Sequence, residues 1–291
     1  MASSQAETPP LDRSSACRSD HNQGPRSCYS PARRSQMPDM FNVPYLNQLR
    51  LVEMERLVSY IPAGARVLEF GAGTGQQARF LADRGFDVVA VDLVDSSYSG
   101  HQVFPVQHYD GEHIPLEDRS IDVIFSSNVL EHVENVPAIM TEFRRILRPA
   151  GFAIHVMPTP AWRLWTFVSG VANSAVAATH LPWALIKPAA QQSRWQALKE
   201  HVRTIAAGLL PLGHGTSPEG ISELYTFSRR AWLNTFQKYR FEVIEDRPMG
   251  VFYTGHMLLR DRLPFSRRDA LARTLGSATR IYVVRPRGSC A

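Results

Sequence analysis

Cysteine is scarce in this chain. Cys17, Cys28 and Cys290 are the only three in 291 residues, and all lie near the ends. Thiols so placed imply no disulfide framework. No Cys/His cluster has the spacing of metal ligands, so no metal site is expected. An acidic excess is also missing: 32 Lys+Arg against 27 Asp+Glu give a net charge of +5. The arginines are scattered rather than striped, which leaves nucleic acid without an electrostatic footprint. Residues 1–40 contain no apolar signal-peptide core. They are rich in Ser, Pro, Gln and Arg and read as a disordered tail. Glu7, Asp12, Asp20 and five prolines argue against a transit peptide, and translation from Met37 or Met40 is a further reading. A cytoplasmic location is expected. With 44% hydrophobic and 20% charged residues the composition is ordinary for a globular chain. One large domain, or one domain plus a lid, fits its length.

Charge is missing from one internal stretch as well. From Leu164 to Ile186 no Asp, Glu, Lys or Arg occurs. The run is long enough to span a bilayer, but Ser169, Gly170, Asn173, Ser174, Thr179, His180 and Pro182 dilute it. Three readings remain: a lid helix over a substrate pocket, a helix on a membrane surface or against a lipid substrate, or a dimer interface. Trp162, Trp165 and Trp183, flanked by Arg163, Lys187, Arg194 and Lys199, suit peripheral membrane contact through 162–190.

What the chain has in abundance is local signal at residues 65–75. The apolar run Val67, Leu68, Phe70 carries one carboxylate, Glu69, and breaks into Gly71, Gly73 and Gly75 before a helix-like segment. Glycine lets the backbone approach a ligand closely, and the following helix start offers free N–H groups. A dinucleotide fingerprint needs a third glycine at the sixth position, where this chain has Gln76. Glu69 would repel a pyrophosphate and attract an α-amino group.

Further strands follow: Phe86 to Asp92, Val103 to Val106, Ile121 to Ser126 and Phe152 to Met157. Gly85 precedes the first of them as a helix cap. A helix over 136–147 is predicted from Ile139, Met140, Phe143, Ile146 and Leu147, ended by Pro149 and Gly151. An amphipathic helix is predicted over Tyr45 to Tyr60, and another after Ser228 as N-cap. The segment Glu219 to Tyr225 reads as a polar loop. Strands alternating with helices indicate a doubly wound parallel sheet, with ligands outside the carboxyl ends of the strands. Asp92, about 20 positions beyond the glycines, suits two ribose hydroxyls or caps the next turn.

Val67–Gly75, Val91-Asp92, Asp110-Gly111, Asn128–Val133 and Phe143–Gly151 together resemble the class I methyltransferases that use S-adenosyl-L-methionine, in their small-molecule branch. The match runs over about 45–158. The resemblance implies an α/β Rossmann-like sheet of seven strands, the last antiparallel, with a helical lid insertion. It divides the chain into 1–40 (tail), 41–160 (cofactor-binding core), 161–226 (helical insertion) and 227–291 (the rest of the core). The last two strands are expected at Phe241 to Arg247 and Arg280 to Val284, as a hairpin. By the same resemblance Glu69, Gly71, Gly73 and Gly75 hold the methionine part, Asp92 the ribose, Asp110 and Gly111 the adenine, and the turn from Asn128 to His132 flanks the sulfonium.

Methyl transfer from a sulfonium needs a positioned nucleophile, a base where the nucleophile is protonated, and exclusion of water. His132 is the first candidate base and His214 the second. Tyr225 and His155 are weaker, the latter as a strand residue facing inward. Arg163 and Arg229 read as solvated, or as binding an acidic substrate. After Asn128 no proline pair or stacking aromatic follows, unlike enzymes that methylate nucleobases. The expected activity is methylation of a small-molecule, lipid-like or glycosidic acceptor at oxygen. The rivals are a catalytically inactive cofactor-binding partner subunit and a nicotinamide-dependent oxidoreductase.

Overall fold

The computed structural model describes residues 43–94, 102–186, 193–209, 222–256 and 262–288. His214, the three cysteines and the tail lie outside them. Helix α1 (Val43–Leu57) leads through a short 3-10 turn to β1 (Arg66–Phe70), α2 (Gln76–Ala82) and β2 (Asp87–Leu93). Then come β3 (Val106–Tyr109), β4 (Ile121–Ser127), α3 (Val136–Ile146) and β5 (Leu147–Pro158). Helices α4 (Pro160–Ile186), α5 (Arg194–Leu209), α6 (Glu223–Thr226) and α7 (Arg229–Lys238) follow, then β6 (Phe241–Pro248), α8 (Phe265–Leu275) and β7 (Thr279–Pro286).

The seven strands form one sheet in the order β3-β2-β1-β4-β5-β7-β6. β7 runs antiparallel to β5 and β6, and the other neighbours are parallel. β1 and β4 are the innermost strands and are buried almost throughout. Successive side chains point to opposite faces, which builds two cores. Val67, Phe125, Val156 and Ile281 pack with Leu49 and Leu57 of α1 on one face. Leu68, Ile124 and Tyr282 pack with Phe143 of α3 and Phe236 of α7 on the other. The chain order reverses between β1 and β4, which sets a crevice at their carboxyl ends.

Several boundaries differ from the reading above. β3 begins at Val106, not Val103. The Val103 N–H instead donates to Thr74 O at 2.8 Å, so residues 103 and 104 lie on the glycine turn and cannot join the ladder. No loop separates α3 from β5. Ile121 pairs with Leu147 but Val123 pairs with Phe152, so β5 carries extra residues there, and Pro149 sits where no ladder N–H is needed. The last strands are not a hairpin, because α8 intervenes. Its face carries Arg268, fully buried, with Nε donating to Leu263 O and Nη1 to Phe252 O. Glu223 to Tyr225 are helical, not loop, because Glu223 is drawn inward. Ser228 caps α7 as expected, its Oγ accepting from Ala231 N at 3.2 Å.

Candidate functional site

The glycine turn leaves β1 at the crevice with Gly71, Gly73 and Gly75 at φ 76°, 56° and 73°. These are left-handed values that side chains with a Cβ resist. Space is as tight as conformation. A Cβ on Gly71 would meet both Val129 methyls at 2.5 Å, and one on Gly75 would meet Phe104 Cβ at 2.8 Å. The bend is pinned to β2, with Gly71 N and Ala72 N donating to Val91 O. Asp92 at the end of β2 accepts from Gly73 N at 2.7 Å through Oδ2 and from Leu93 N at 2.8 Å through Oδ1. Its carboxylate therefore braces the bend and still faces the crevice, half-buried.

Glu69 lies one residue inside β1 and is 2% exposed. Burial pushes its pKa up to about 8, against the Ala78 N–H, and the nearby Asp92 raises it further. Its Oε2 is buried without a hydrogen-bond partner. A buried polar atom left so is costly, and a cationic donor from a ligand would satisfy it. On the neighbouring strand end Asp110 is exposed. Its Oδ1 accepts from His113 N at 2.7 Å and Glu112 N at 2.9 Å, and these N–H groups hold its pKa below the ordinary value. Gly111, at φ 95°, lies against Leu93. The pairing of Asp92 with His108 and Leu93 with Tyr109 brings Asp92 and Asp110 to one edge.

Across the crevice β4 ends in a second strained bend, Asn128 at φ 54°. Its N–H donates to Val156 O at 2.8 Å. With its amide turned so that oxygen meets donors, the side chain accepts from Arg50 Nη1 at 2.8 Å and Nη2 at 3.2 Å. Arg50 of α1 also donates to Glu53 at 2.7 Å and the Tyr253 hydroxyl at 3.1 Å. Burial works against its charge, but Tyr253 and Glu53 more than compensate and raise its pKa. This helix is thus tied to the crevice, not merely laid over the sheet.

A turn of 3-10 helix, Leu130–His132, carries Glu131 and His132. Nearly half of the His132 side chain reaches solvent, yet burial of the rest keeps its pKa below the ordinary value. Its Nε2 lies 4.0 Å from Glu131 Oε1. The Glu131 side chain is buried, and burial pushes its pKa up to about 8, with Arg50 opposing and Glu223 adding to the rise. Glu223 of α6 in turn forms a buried ion pair with Arg163 of α4, Nε to Oε2 at 2.9 Å. Reading Arg163 as a solvated surface residue was therefore wrong: Glu223, 60 positions away, draws it inside. Glu131, Glu223 and Arg50 escaped the sequence reading because only tertiary contact makes a cluster of them. Arg229 is exposed and paired with Asp246 at 2.7 Å. Tyr225 is exposed too. His155 is buried between the rings of Phe143 and Phe236, its Nδ1 2.8 Å from Ser126 Oγ. Burial lowers its pKa to about 3, so it is a neutral packing group far from solvent.

One bend held open by glycines, one buried acid with an unpaired oxygen and an acid at the next strand end suit a ligand with an amino group and a ribose. A family model for the methyltransferase domain matches residues 48–246, more than half of the chain. The chain belongs to this family of S-adenosylmethionine-dependent methyltransferases. The methyltransferase is 37% identical over 106 residues to a biotin biosynthesis bifunctional protein BioHC of Cellvibrio japonicus, covering 34% of this chain and 21% of that one. It is 32% identical over 110 residues to a malonyl-[acyl-carrier protein] O-methyltransferase of Pectobacterium atrosepticum, covering 36% and 44%. The chain thus spans under half the length of these curated relatives. An S-adenosylmethionine-dependent methyltransferase structure from Mesorhizobium loti aligns over 80% of this chain and 97% of that one, at 16% identity and TM-score 0.47.

Proposed function

We propose that this methyltransferase methylates an oxygen of a small-molecule, lipid-like or glycosidic acceptor, with His132 as the base. The observation that carries this reading is the pairing of His132, a low-pKa imidazole open to solvent, with the buried Glu131 at 4.0 Å. A neutral imidazole at pH 7 is ready to take a proton. Glu131 beside it favours the imidazolium that results once the bound cationic donor has drawn out the Glu131 proton. The cofactor supplies an electrophilic methyl group on a sulfur that leaves as a neutral thioether. Toward it, Glu69 takes the α-amino group, the bend at Gly71, Gly73 and Gly75 the methionine chain, and Asp92 the ribose hydroxyls. Asp110 and Gly111 border the adenine, and Asn128 fixes the turn beside the reacting centre. Helix α4, anchored through Arg163 to Glu223, acts as the lid that excludes water.

The oxygen assignment follows the O-methyltransferase among the relatives, although an N-methyltransferase of Aphanothece halophytica is among them too. The test is incubation of the purified protein with methyl-labelled cofactor and fractionated cell extract, then mass spectrometry of the labelled product. A methyl ether or ester is expected. Labelled nitrogen or carbon would overturn the oxygen assignment, and cofactor binding without transfer to any fraction would favour an inactive partner subunit. With the acceptor in hand, His132→Ala lowers turnover about 10²–10⁴-fold while cofactor affinity persists. A full-rate variant removes His132 from the mechanism and leaves His214 as the candidate base.

A further inference from the structure

Helices α4 and α5 form an antiparallel pair whose backbones touch. A Cβ on Gly208 would lie 2.2 Å from Ser174 Oγ and 2.3 Å from Gly170 O. Ser174 Oγ donates to Gly170 O at 3.0 Å and to Ile205 O at 2.9 Å. This contact uses one side of each helix. Away from it, α4 exposes Leu164, Val168, Val171 and Ile186, with Val176 and Trp183 further round the helix and Phe167 nearer the contact, and α5 exposes Trp195, Val202 and Leu209. Trp183 is 67% exposed and Trp195 63%. At about 100° per residue, Leu164, Val168, Val171 and Ile186 of α4 and the three residues of α5 are displaced from the Gly170–Gly208 contact in the same rotational sense, and Trp183 borders the α4 stripe about 60° beyond Ile186, past the far side of the helix. In an antiparallel pair that puts them on one side of the hairpin. A contiguous apolar surface of this kind marks an interaction site.

Charge decides what covers it. α4 has no acidic residue, and its one arginine, Arg163, is buried against Glu223. α5 exposes Arg194, Lys199 and Arg203 against a single acid, Glu200. Lys199 Nζ lies 5.4 Å from the centre of the Trp195 ring, so a cation flanks one of the two exposed indoles. Indoles with cations beside them suit the headgroup boundary of an anionic bilayer. A second copy fits less well, since a two-fold contact through this side would set the cations of α5 near their own copies. No described helix is long and apolar enough to cross a membrane.

We propose that the α4–α5 hairpin lies in the plane of an anionic lipid bilayer, with Trp183 and Trp195 at the interface and Arg194, Lys199 and Arg203 on the lipid phosphates. Because α4 begins beside Glu223 and Glu131, docking brings the crevice within reach of an acceptor dissolved in the bilayer. That consequence rests on the functional reading above; the docking itself does not.

The test is flotation of the full-length protein with phosphatidylcholine vesicles, with and without one third phosphatidylglycerol. The wild type floats with the anionic vesicles, and added salt weakens it. Trp183→Ser with Trp195→Ser lowers the partition coefficient roughly tenfold or more. Lys199→Glu with Arg203→Glu lowers it by at least about fivefold per cation removed. All four positions are exposed, so the variants fold, which circular dichroism checks. No flotation of the wild type, or equal flotation of wild type and variants, overturns the proposal. So does a concentration-dependent dimer in sedimentation that the tryptophan variant abolishes without any vesicle binding. Cofactor titration of each variant separates the two readings: affinity survives loss of docking, and its absence from the wild type would strike the functional site instead.

Discussion

Gly71 is where conformation and packing can be separated by experiment. Replacing it with alanine introduces a Cβ at φ 76° and 2.5 Å from both methyls of Val129. A left-handed backbone costs an L-residue about 1–2 kcal/mol. The overlap adds about 1–3 kcal/mol, the range for forcing an extra carbon into a packed site. Rotating Val129 offers little relief, since its own Cβ would stand at 3.1 Å and a β-branched side chain is stiff at χ1. Gly71→Ala is therefore expected to lose about 2–5 kcal/mol. Gly85 provides the control: its φ is 85°, but nothing lies within 4 Å of a Cβ there, so Gly85→Ala loses only the conformational part, about 1–2 kcal/mol. Adding Val129→Ala to Gly71→Ala relieves the overlap and leaves the φ penalty. Urea unfolding of the double-mutant cycle should show a coupling of about 1–3 kcal/mol in favour of the double variant. Calorimetric titration should find cofactor affinity reduced by Gly71→Ala and untouched by Gly85→Ala. Coupling below about 0.5 kcal/mol would refute the packing of the two bends against each other.

Two further outcomes follow from the buried charges. Glu69 has a folded pKa near 8 against an ordinary value of 4.5, so its contribution to stability is complete below the ordinary value and is lost as pH rises through 8. Glu69→Gln should flatten that decline in urea midpoints between pH about 5 and about 9, raising alkaline stability by a few kcal/mol while weakening cofactor binding; a variant with the wild-type pH profile would show that Glu69 ionises freely. Arg163→Met removes the guanidinium facing buried Glu223 and should cost about 3–5 kcal/mol in unfolding, whereas Arg163→Met with Glu223→Gln should recover most of it; a single variant costing under about 1 kcal/mol would place the pair in solvent.

Much of the sheet and of the glycine bend could be read from sequence because their signals are local. A run such as Val67-Leu68-Glu69-Phe70 followed by alternating glycines has few structural solutions, and the spacing to Asp92 follows from one helix and one strand. The predicted Val136–Leu147 helix matched α3 within one residue because its apolar positions recur at helical spacing. Signals that depend on distant partners were not legible. The Arg268 side chain breaks the apolar face of α8, and only the carbonyls of Leu263 and Phe252 make its burial tolerable. Val103 and Phe104 have strand composition but are diverted onto the glycine turn. Arg163 reads as a solvated residue and Glu223 as part of a polar loop, and they become interior only as a pair. The cluster of Arg50, Glu131, Arg163 and Glu223 is built largely from such pairings, which is why it has no local signature, whereas the proposed cofactor residues lie in local motifs.

That difference has an electrostatic consequence. Glu53, Glu131 and Glu223 stand against Arg50 and Arg163, three carboxyl groups to two guanidiniums, and Glu69 adds another acid beside the glycine bend. Burial raises Glu69 and Glu131 to about 8, so both carry protons at neutral pH in the free protein. On the proposed assignment a cationic donor held near Glu69 and Glu131 would lower both pKa values and draw those protons out. The sulfonium donor is such a cation at its reacting sulfur; the thioether left after transfer is not. On the proposed assignment, donor binding strengthens as pH rises toward 8, and product binding, which keeps only the α-amino charge at Glu69, rises less. The carboxyl groups that weaken the free protein at alkaline pH are then the ones that let it hold the charged donor in preference to the spent one.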